Sequence, residues 1–253
     1  MNSASKAVAI IPARLESSRL PGKALLDICG LPMIVHVYKR CLLAKKLDEV
    51  YVATDNIEIK NCIKKYGGNV IMTSSIHETG TDRIAEAAQN INAEIIVNIQ
   101  GDEALVNPIY IDKVVDELKD NPNIDVGLLV NPFSKKNSQS DIKVVLNNKN
   151  DVLYLSRSDI PSDSRNNDSS MLKAYHIVPF RKEFLLKFPK LKKGKLERIE
   201  FNEYIRILEH GYTIRAVHVD SDAVSVDTQE DLEYVRSKMP IDEWFPKYTM
   251  NSY

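Results

Sequence analysis

The chain has 253 residues, 43% hydrophobic and 27% charged, with a formal net charge of −1. That is ordinary globular composition, enough for one domain with an appended lobe, and too neutral to draw in nucleic acid or an anionic membrane by its overall field. Three cysteines without a CxxC pair argue against a disulfide framework or structural zinc, and no apolar run approaches the ~18 residues of a membrane span.

The first six residues are polar and lack the apolar core of a signal peptide, so a cytoplasmic protein is expected. Residues 7–11 are apolar, end at Pro12 and read as a buried strand. A long polar connection, 13–31, follows. Over 32–45, Met33, Val37 and Cys41 recur at helical spacing. Residues 49–53 predict a second strand, 57–66 a helix stopped by Gly67 and Gly68, and 69–72 a third strand. A helix is predicted over 81–91, capped by Thr79 or Thr81, then a strand over 94–99 and a helix over 108–119. Alternation at this spacing predicts an α/β fold with a mostly parallel sheet, in which ligands bind beyond the carboxyl ends of the strands.

The second half changes character. A hairpin is predicted from 143–146 and 152–155, a mobile polar loop over 162–170, and a strand over 174–180. One helix is predicted over 196–210, ending at Gly211, then a strand over 213–219 and a helix over 228–238. Segment 135–200 is expected to form a smaller lobe of a single domain.

Four segments carry candidate chemistry. Ile11-Pro-Ala-Arg-Leu-Glu-Ser-Ser-Arg-Leu-Pro-Gly-Lys23 places Arg14, Arg19 and Lys23 in one loop after a buried strand, with Gly22 permitting close backbone approach. Several cations with backbone N–H groups suit a triphosphate. A solvated basic loop is the plain alternative, and no Walker A pattern is present. Ile95-Ile-Val-Asn-Ile-Gln-Gly-Asp-Glu103 runs a strand into carboxylates that can hold Mg²⁺ with substrate phosphates, or that merely form a turn. Asp227, at the start of a helix, is a second such carboxylate or an N-cap. Residues 72–83 form a polar, Gly-containing connection able to read a base through backbone groups, or an ordinary loop. His77 within it is assigned no role.

Taken together the segments resemble the 3-deoxy-manno-octulosonate cytidylyltransferases, the CMP-Kdo synthetases. The match comprises IPAR with S-x-RLPGK (11–23), G-x-PMI-x-HV (30–37), VATD (52–55), GG-x-V-x-MT (67–73), GTDR (80–83), QGDE (100–103), KVV with LY-x-SR (143–157) and VDT-x-EDLE-x-VR (226–236), in family order over residues 7–238. Sialate cytidylyltransferases share the plan but match less closely. The resemblance implies a three-layer Rossmann-like nucleotidyltransferase fold and a homodimer, with the smaller lobe supplying acceptor and dimer contacts. It implies that Arg14 and Lys23 bind the triphosphate of CTP, that Ala13, Thr73, Gly80, Arg83 and Gln100 line the nucleotide pocket, and that Asp102 and Asp227 hold Mg²⁺. It places Arg157 and Glu203 at an acidic sugar, with His176 and Tyr204 at neighbouring altered positions.

The departures fall on the acceptor side. A family segment of the form H-x-G-I-Y-x-Y-R, after a basic residue, here has Ala174 for His, His176 for Gly and Val178 for the first Tyr. Tyr204 replaces a Gln, and Ser225 and Gln229 flank the Val-Asp-Thr of residues 226–228 where Gly and Pro are usual. Loss or gain of polar groups in such a pocket changes discrimination by orders of magnitude. The expected reaction moves CMP from CTP to the anomeric hydroxyl of a 3-deoxy-2-ulosonic acid and releases pyrophosphate. A different acidic sugar (nonulosonic, heptulosonic or amino-octulosonic), or a nucleotide-binding protein without transferase activity, are the alternatives.

Overall fold

The computed structural model describes residues 6–17, 19–165, 170–221 and 224–249. Ser18, Ala223 and residues 166–169 of the polar loop expected over 162–170 lie outside them.

In chain order the first half runs β1 (Ala7–Ala13), a short hairpin of β2 (Asp27–Ile28) and β3 (Leu31–Pro32), α1 (Met33–Cys41), β4 (Glu49–Thr54) and α2 (Ile57–Lys65). It continues with β5 (Val70–Met72), α3 (Gly80–Ala88), β6 (Ile95–Ile99) and α4 (Pro108–Asp120). The second half runs β7 (Val126–Phe133), β8 (Lys143–Leu146), β9 (Val152–Ser156), β10 (Met171–Tyr175), β11 (Ile177–Arg181) and α5 (Lys182–Lys187). It ends with α6 (Lys195–Glu200), α7 (Ile205–Glu209), β12 (Ile214–His218), α8 (Gln229–Lys238) and α9 (Phe245–Thr249).

β5, β4, β1 and β6 lie side by side and parallel, and the sheet then continues through antiparallel β11 into β7, β10, β8 and β9, with β12 parallel to β7. Period-two alternation sorts β1 between two cores. Ala7, Ala9 and Ile11 pack with α1, α2 and α4, while Val8 and Ile10 pack with α3, α5 and α7. The sheet is therefore the middle of three layers. Among the described residues no helix is long and apolar enough to cross a membrane.

Several sequence expectations are corrected. β1 runs on through Pro12 to Ala13; β6 pairs only with Ala7–Ile10, so Pro12 sits where one ladder has already ended. β7 is a long, largely buried strand with no counterpart among the expected elements, although residues 126–130 form an apolar run. The strand expected over 174–180 is two strands interrupted at His176. The helix expected over 196–210 is also two. Phe201 adopts a left-handed conformation (φ 49°), and the Asn202 side chain accepts the Tyr204 amide at 3.0 Å, a local bond that competes with helix continuation. Across the break the buried Arg206 returns to Glu197 through its Nε at 2.8 Å.

The interruption at His176 forks the sheet. Beyond it, Ile177 pairs with Ile99 of β6; before it, Lys173 pairs with Lys143 of β8. Two strands thus flank the β10–β11 line on the same side and diverge at one residue. Segment 135–200 supplies β8, β9 and β10, which extend this sheet, β11, which lies within it between β6 and β7, and the helices α5 and α6.

Candidate active site

The carboxyl ends of β1 and β6 approach so closely that a side chain at position 101 has no room. A Cβ on Gly101 would stand 2.9 Å from the Pro12 carbonyl oxygen. The turn after β6 then presents Asp102. The segment leading into α8 is tied to it, because the Val226 amide donates to the Asp102 carbonyl at 3.0 Å. This bond sets Asp227 beside Asp102. The N-cap alternative for Asp227 is overturned: Thr228 caps α8, in a reciprocal capping box with Asp231. The Asp227 carboxylate is thereby left for the cations opposite.

Those cations come from the loop after β1. Gly22, in the left-handed region at φ 67°, turns the chain into a 3-10 turn over Lys23–Leu25. Lys23 Nζ reaches Asp102 Oδ2 at 2.5 Å, Asp227 Oδ1 at 3.0 Å and the Val226 carbonyl at 3.1 Å. Arg19 holds the other oxygen of Asp227 at 2.9 Å. Burial works against the Lys23 charge, but Asp102 and then Asp227 override it and lift its pKa above the ordinary lysine value. The Lys23 ammonium therefore occupies the space between the two carboxylates. Their donors are all hard oxygens, a set that suits a magnesium-like ion completing its shell with phosphate and water. Among the described residues no cluster of three or more His, Cys, Asp or Glu side chains adds further ligands. Glu103 is buried; burial, then the Asp102 charge, push its carboxyl up to about 8, and the Ser225 hydroxyl donates to it.

Two clefts meet at the carboxylate pair. One, of about 290 Å³, is bounded by Ala13, Arg14, Lys23, Gly80, Arg83 and Gln100. Arg14 is exposed there. At its far end the buried Arg83 donates to Thr73 Oγ1 at 2.7 Å and pairs with Asp55 at 3.3 Å, beneath the start of α3, which Thr79 caps. Gln100 donates to Asn98 Oδ1 at 3.2 Å. His77, on the same wall, is paired with Glu86.

The second cleft, of about 750 Å³, opens at the sheet fork and includes Arg157, Lys173, His176, Glu203 and Tyr204. The clefts share Arg19, Gln100, Asp102 and Asp227. The Tyr204 hydroxyl accepts from Asn98 Nδ2 at 3.1 Å; burial, then the neighbouring Glu203, raise its pKa. Its ring lies 6.3 Å from that of His176, whose imidazolium form burial disfavours. Glu203 accepts from Thr81 Oγ1 at 2.7 Å, and burial raises its pKa. Arg157 spends its donors on the carbonyls of Glu200 (2.8 Å), Gln139 (2.7 Å) and Phe201 (3.1 Å), so it braces the cleft wall as well as lining it.

All the candidate site residues thus fall around these two clefts, with Thr73 joined through Arg83. Sequence reasoning gives Arg19 no role beyond its loop and passes over Lys173 and Asp141, which pair at 2.7 Å in the second cleft. Arg19 was within reach, since it shares the loop of Arg14 and Lys23. Nothing local marks Lys173 or Asp141.

A cytidylyltransferase family model matches residues 8–214. The 3-deoxy-manno-octulosonate cytidylyltransferase of Geobacter sulfurreducens is 43% identical, covering 91% of this chain and 98% of that protein. The 8-amino-3,8-dideoxy-manno-octulosonate cytidylyltransferase of Shewanella pealeana is 38% identical, with 92% and 98% covered. A solved CMP:2-keto-3-deoxy-manno-octonic acid synthetase in complex with CTP is similar over 94% of this chain and 99% of its own, at 39% identity and a TM-score of 0.91.

Proposed function

The chain belongs to the cytidylyltransferase family, and from that premise we propose that it transfers CMP from CTP to the anomeric hydroxyl of 3-deoxy-manno-octulosonate, releasing pyrophosphate. The single observation that carries this reading is the pair of clefts meeting at Asp102 and Asp227. One takes the nucleotide, the other the sugar acid, and the carboxylates stand where the two reacting groups meet.

In this reading the 290 Å³ cleft holds CTP. Arg83, Thr73, Gly80, Ala13 and Gln100 surround the cytidine, and Arg14, Arg19 and Lys23 receive the phosphates. Charge-assisted donors at the phosphates neutralise the departing pyrophosphate. Asp102 and Asp227 would hold Mg²⁺, which polarises the α-phosphate and lowers the pKa of the attacking hydroxyl. Lys23 bridges the two carboxylates and Arg19 pairs with Asp227, which holds both acids in place. The acceptor lies in the second cleft, where Lys173 and Arg157 offer positive charge to its carboxylate while Glu203, Tyr204 and His176 face its hydroxyls. No side-chain nucleophile takes part; the work is positioning and charge stabilisation.

A second acceptor fits the same cleft. Glu203, on the cleft wall, can receive an ammonium as well as a hydroxyl, so an 8-amino acceptor of the kind named for the Shewanella relative is the alternative. We place the enzyme in the cytoplasm, in lipopolysaccharide or capsule synthesis. We further propose a homodimer in which segment 135–200 supplies acceptor and dimer contacts. The exposure of Leu153, Leu196 and Ile199 on that segment supports the interface.

The test is pyrophosphate release with each of four nucleoside triphosphates and a panel of ulosonic acids, with and without Mg²⁺. Release that requires CTP, Mg²⁺ and an octulosonic acid is the expected result. Release with another nucleotide alone, or none with any acceptor, overturns the reading.

A further inference from the structure

Lys143 opens β8 and is completely buried. An ammonium has three N–H donors, and here each finds a backbone carbonyl: Ser138 at 2.5 Å, Asp141 at 2.9 Å and Arg157 at 2.5 Å. The nearest carboxylate oxygen, on Asp159, stands at 3.7 Å. Burying a cation is costly unless every proton is satisfied, and an apolar side chain would avoid the cost. What the burial secures is the position of the segments that those carbonyls belong to.

Both segments face the acceptor cleft. Lys143 lies directly opposite Lys173 in the β8–β10 register, so the two side chains share one face of the sheet. Asp141 separates the two like charges, its carbonyl on Lys143 and its carboxylate 2.7 Å from Lys173. Ser138 donates to the other oxygen of that carboxylate at 2.6 Å. Arg157, whose carbonyl Lys143 holds, reaches across to the Gln139 carbonyl at 2.7 Å. The turn over 138–141 and the end of β9 are thereby clipped together around one buried ammonium.

We infer that Lys143 is the positioning residue of the acceptor cleft, acting through Asp141, Lys173 and Arg157 without touching either substrate. The inference rests on the assignment of that cleft to the sugar acid. With the ammonium removed, three carbonyls lose their common donor and the 138–141 turn is released, while the CTP cleft across the carboxylate pair keeps its own contacts.

The experiment compares Lys143→Met with Lys173→Met, measuring KM for the sugar acid, kcat, and CTP affinity by calorimetry. Lys143→Met is expected to raise the acceptor KM about tenfold or more, with CTP affinity unchanged and kcat at saturating acceptor affected less. A wild-type acceptor KM in a variant that binds CTP normally, or a parallel loss of CTP affinity, overturns the inference. If Lys173→Met raises the acceptor KM and Lys143→Met does not, this inference alone fails; if neither does, the assignment of the cleft fails with it. Should Lys143→Met not fold, Lys143→Ala purified with n-butylammonium decides. Dialysing the amine away must raise the acceptor KM while sparing CTP binding, and no change overturns the inference.

Discussion

Lys23 and Asp102, from loops at the ends of two neighbouring parallel strands, form an ion pair of 2.5 Å, and the same ammonium lies 3.0 Å from Asp227. One cation therefore draws together two carboxylates that approach from distant parts of the chain. Together Lys23 and Arg19 balance the charge of the two acids.

Asp102→Asn and Asp227→Asn each keep the size of the side chain and remove one charge from the pair proposed to hold the metal. Each is expected to lower kcat by about a hundredfold or more while CTP still binds. Steady-state pyrophosphate release with Mg²⁺ checks this. A near-normal rate in Asp102→Asn would refute the metal role, and one in Asp227→Asn would confine that residue to its ion pairs with Lys23 and Arg19.

Gly101→Ala places a methyl 2.9 Å from the Pro12 oxygen and 3.2 Å from Ile34 Cδ1. Overpacking of this kind costs about 1–3 kcal/mol, and the relief available is to push β6's turn, and Asp102 with it, away from Lys23. A lowered urea midpoint together with reduced kcat is expected. Unchanged stability would mean that the two strand ends are not in contact in solution.

Tyr204→Gln removes the ring that meets His176 and the hydroxyl bonded to Asn98. The ratio of kcat/KM for 3-deoxy-manno-octulosonate and its 8-amino analogue is expected to move by about tenfold, with the KM for CTP unmoved. An identical ratio in the variant would remove Tyr204 from acceptor choice.

His36 is buried between the Ile28 carbonyl and the Tyr248 hydroxyl, both at 2.7 Å. A carbonyl only accepts, so Nε2 carries the proton and Nδ1 accepts from Tyr248. Burial holds its pKa down to about 4. In the unfolded chain the value returns to about 6.5. Between those pH values the unfolded state binds a proton that the native state does not. Stability from this group is therefore complete above pH 6.5 and is lost as pH falls towards 4, by up to about 3 kcal/mol. Urea denaturation of the protein and of His36→Gln across that window measures it; equal pH slopes would exclude His36 as the source.

Much of the fold was legible because its parallel half is built from local signals. The apolar run before Pro12, the glycines at 67 and 68 and the run into Gln100 each mark an element without reference to the rest of the chain. The failures share a cause. His176 sits inside an apolar stretch that reads as one strand, and only the choice of partners, β6 on one side of it and β8 on the other, divides that stretch. Likewise 196–210 carries a helical pattern, and the break at Phe201 is made by Asn202 and closed by the Glu197–Arg206 pair across it.

By itself the sequence determined the alternating α/β order, the cation-rich loop after the first strand and the two aspartates, since each is written in contiguous residues or in local period. Only the tertiary structure decided that Thr228 rather than Asp227 caps the last long helix, that Lys23 spans both acids, and that Lys143 is a buried clip instead of a surface charge. These are relations between residues far apart in the chain. They are set by which strand ends converge and by which polar groups must find partners once water is excluded, and no local pattern encodes either.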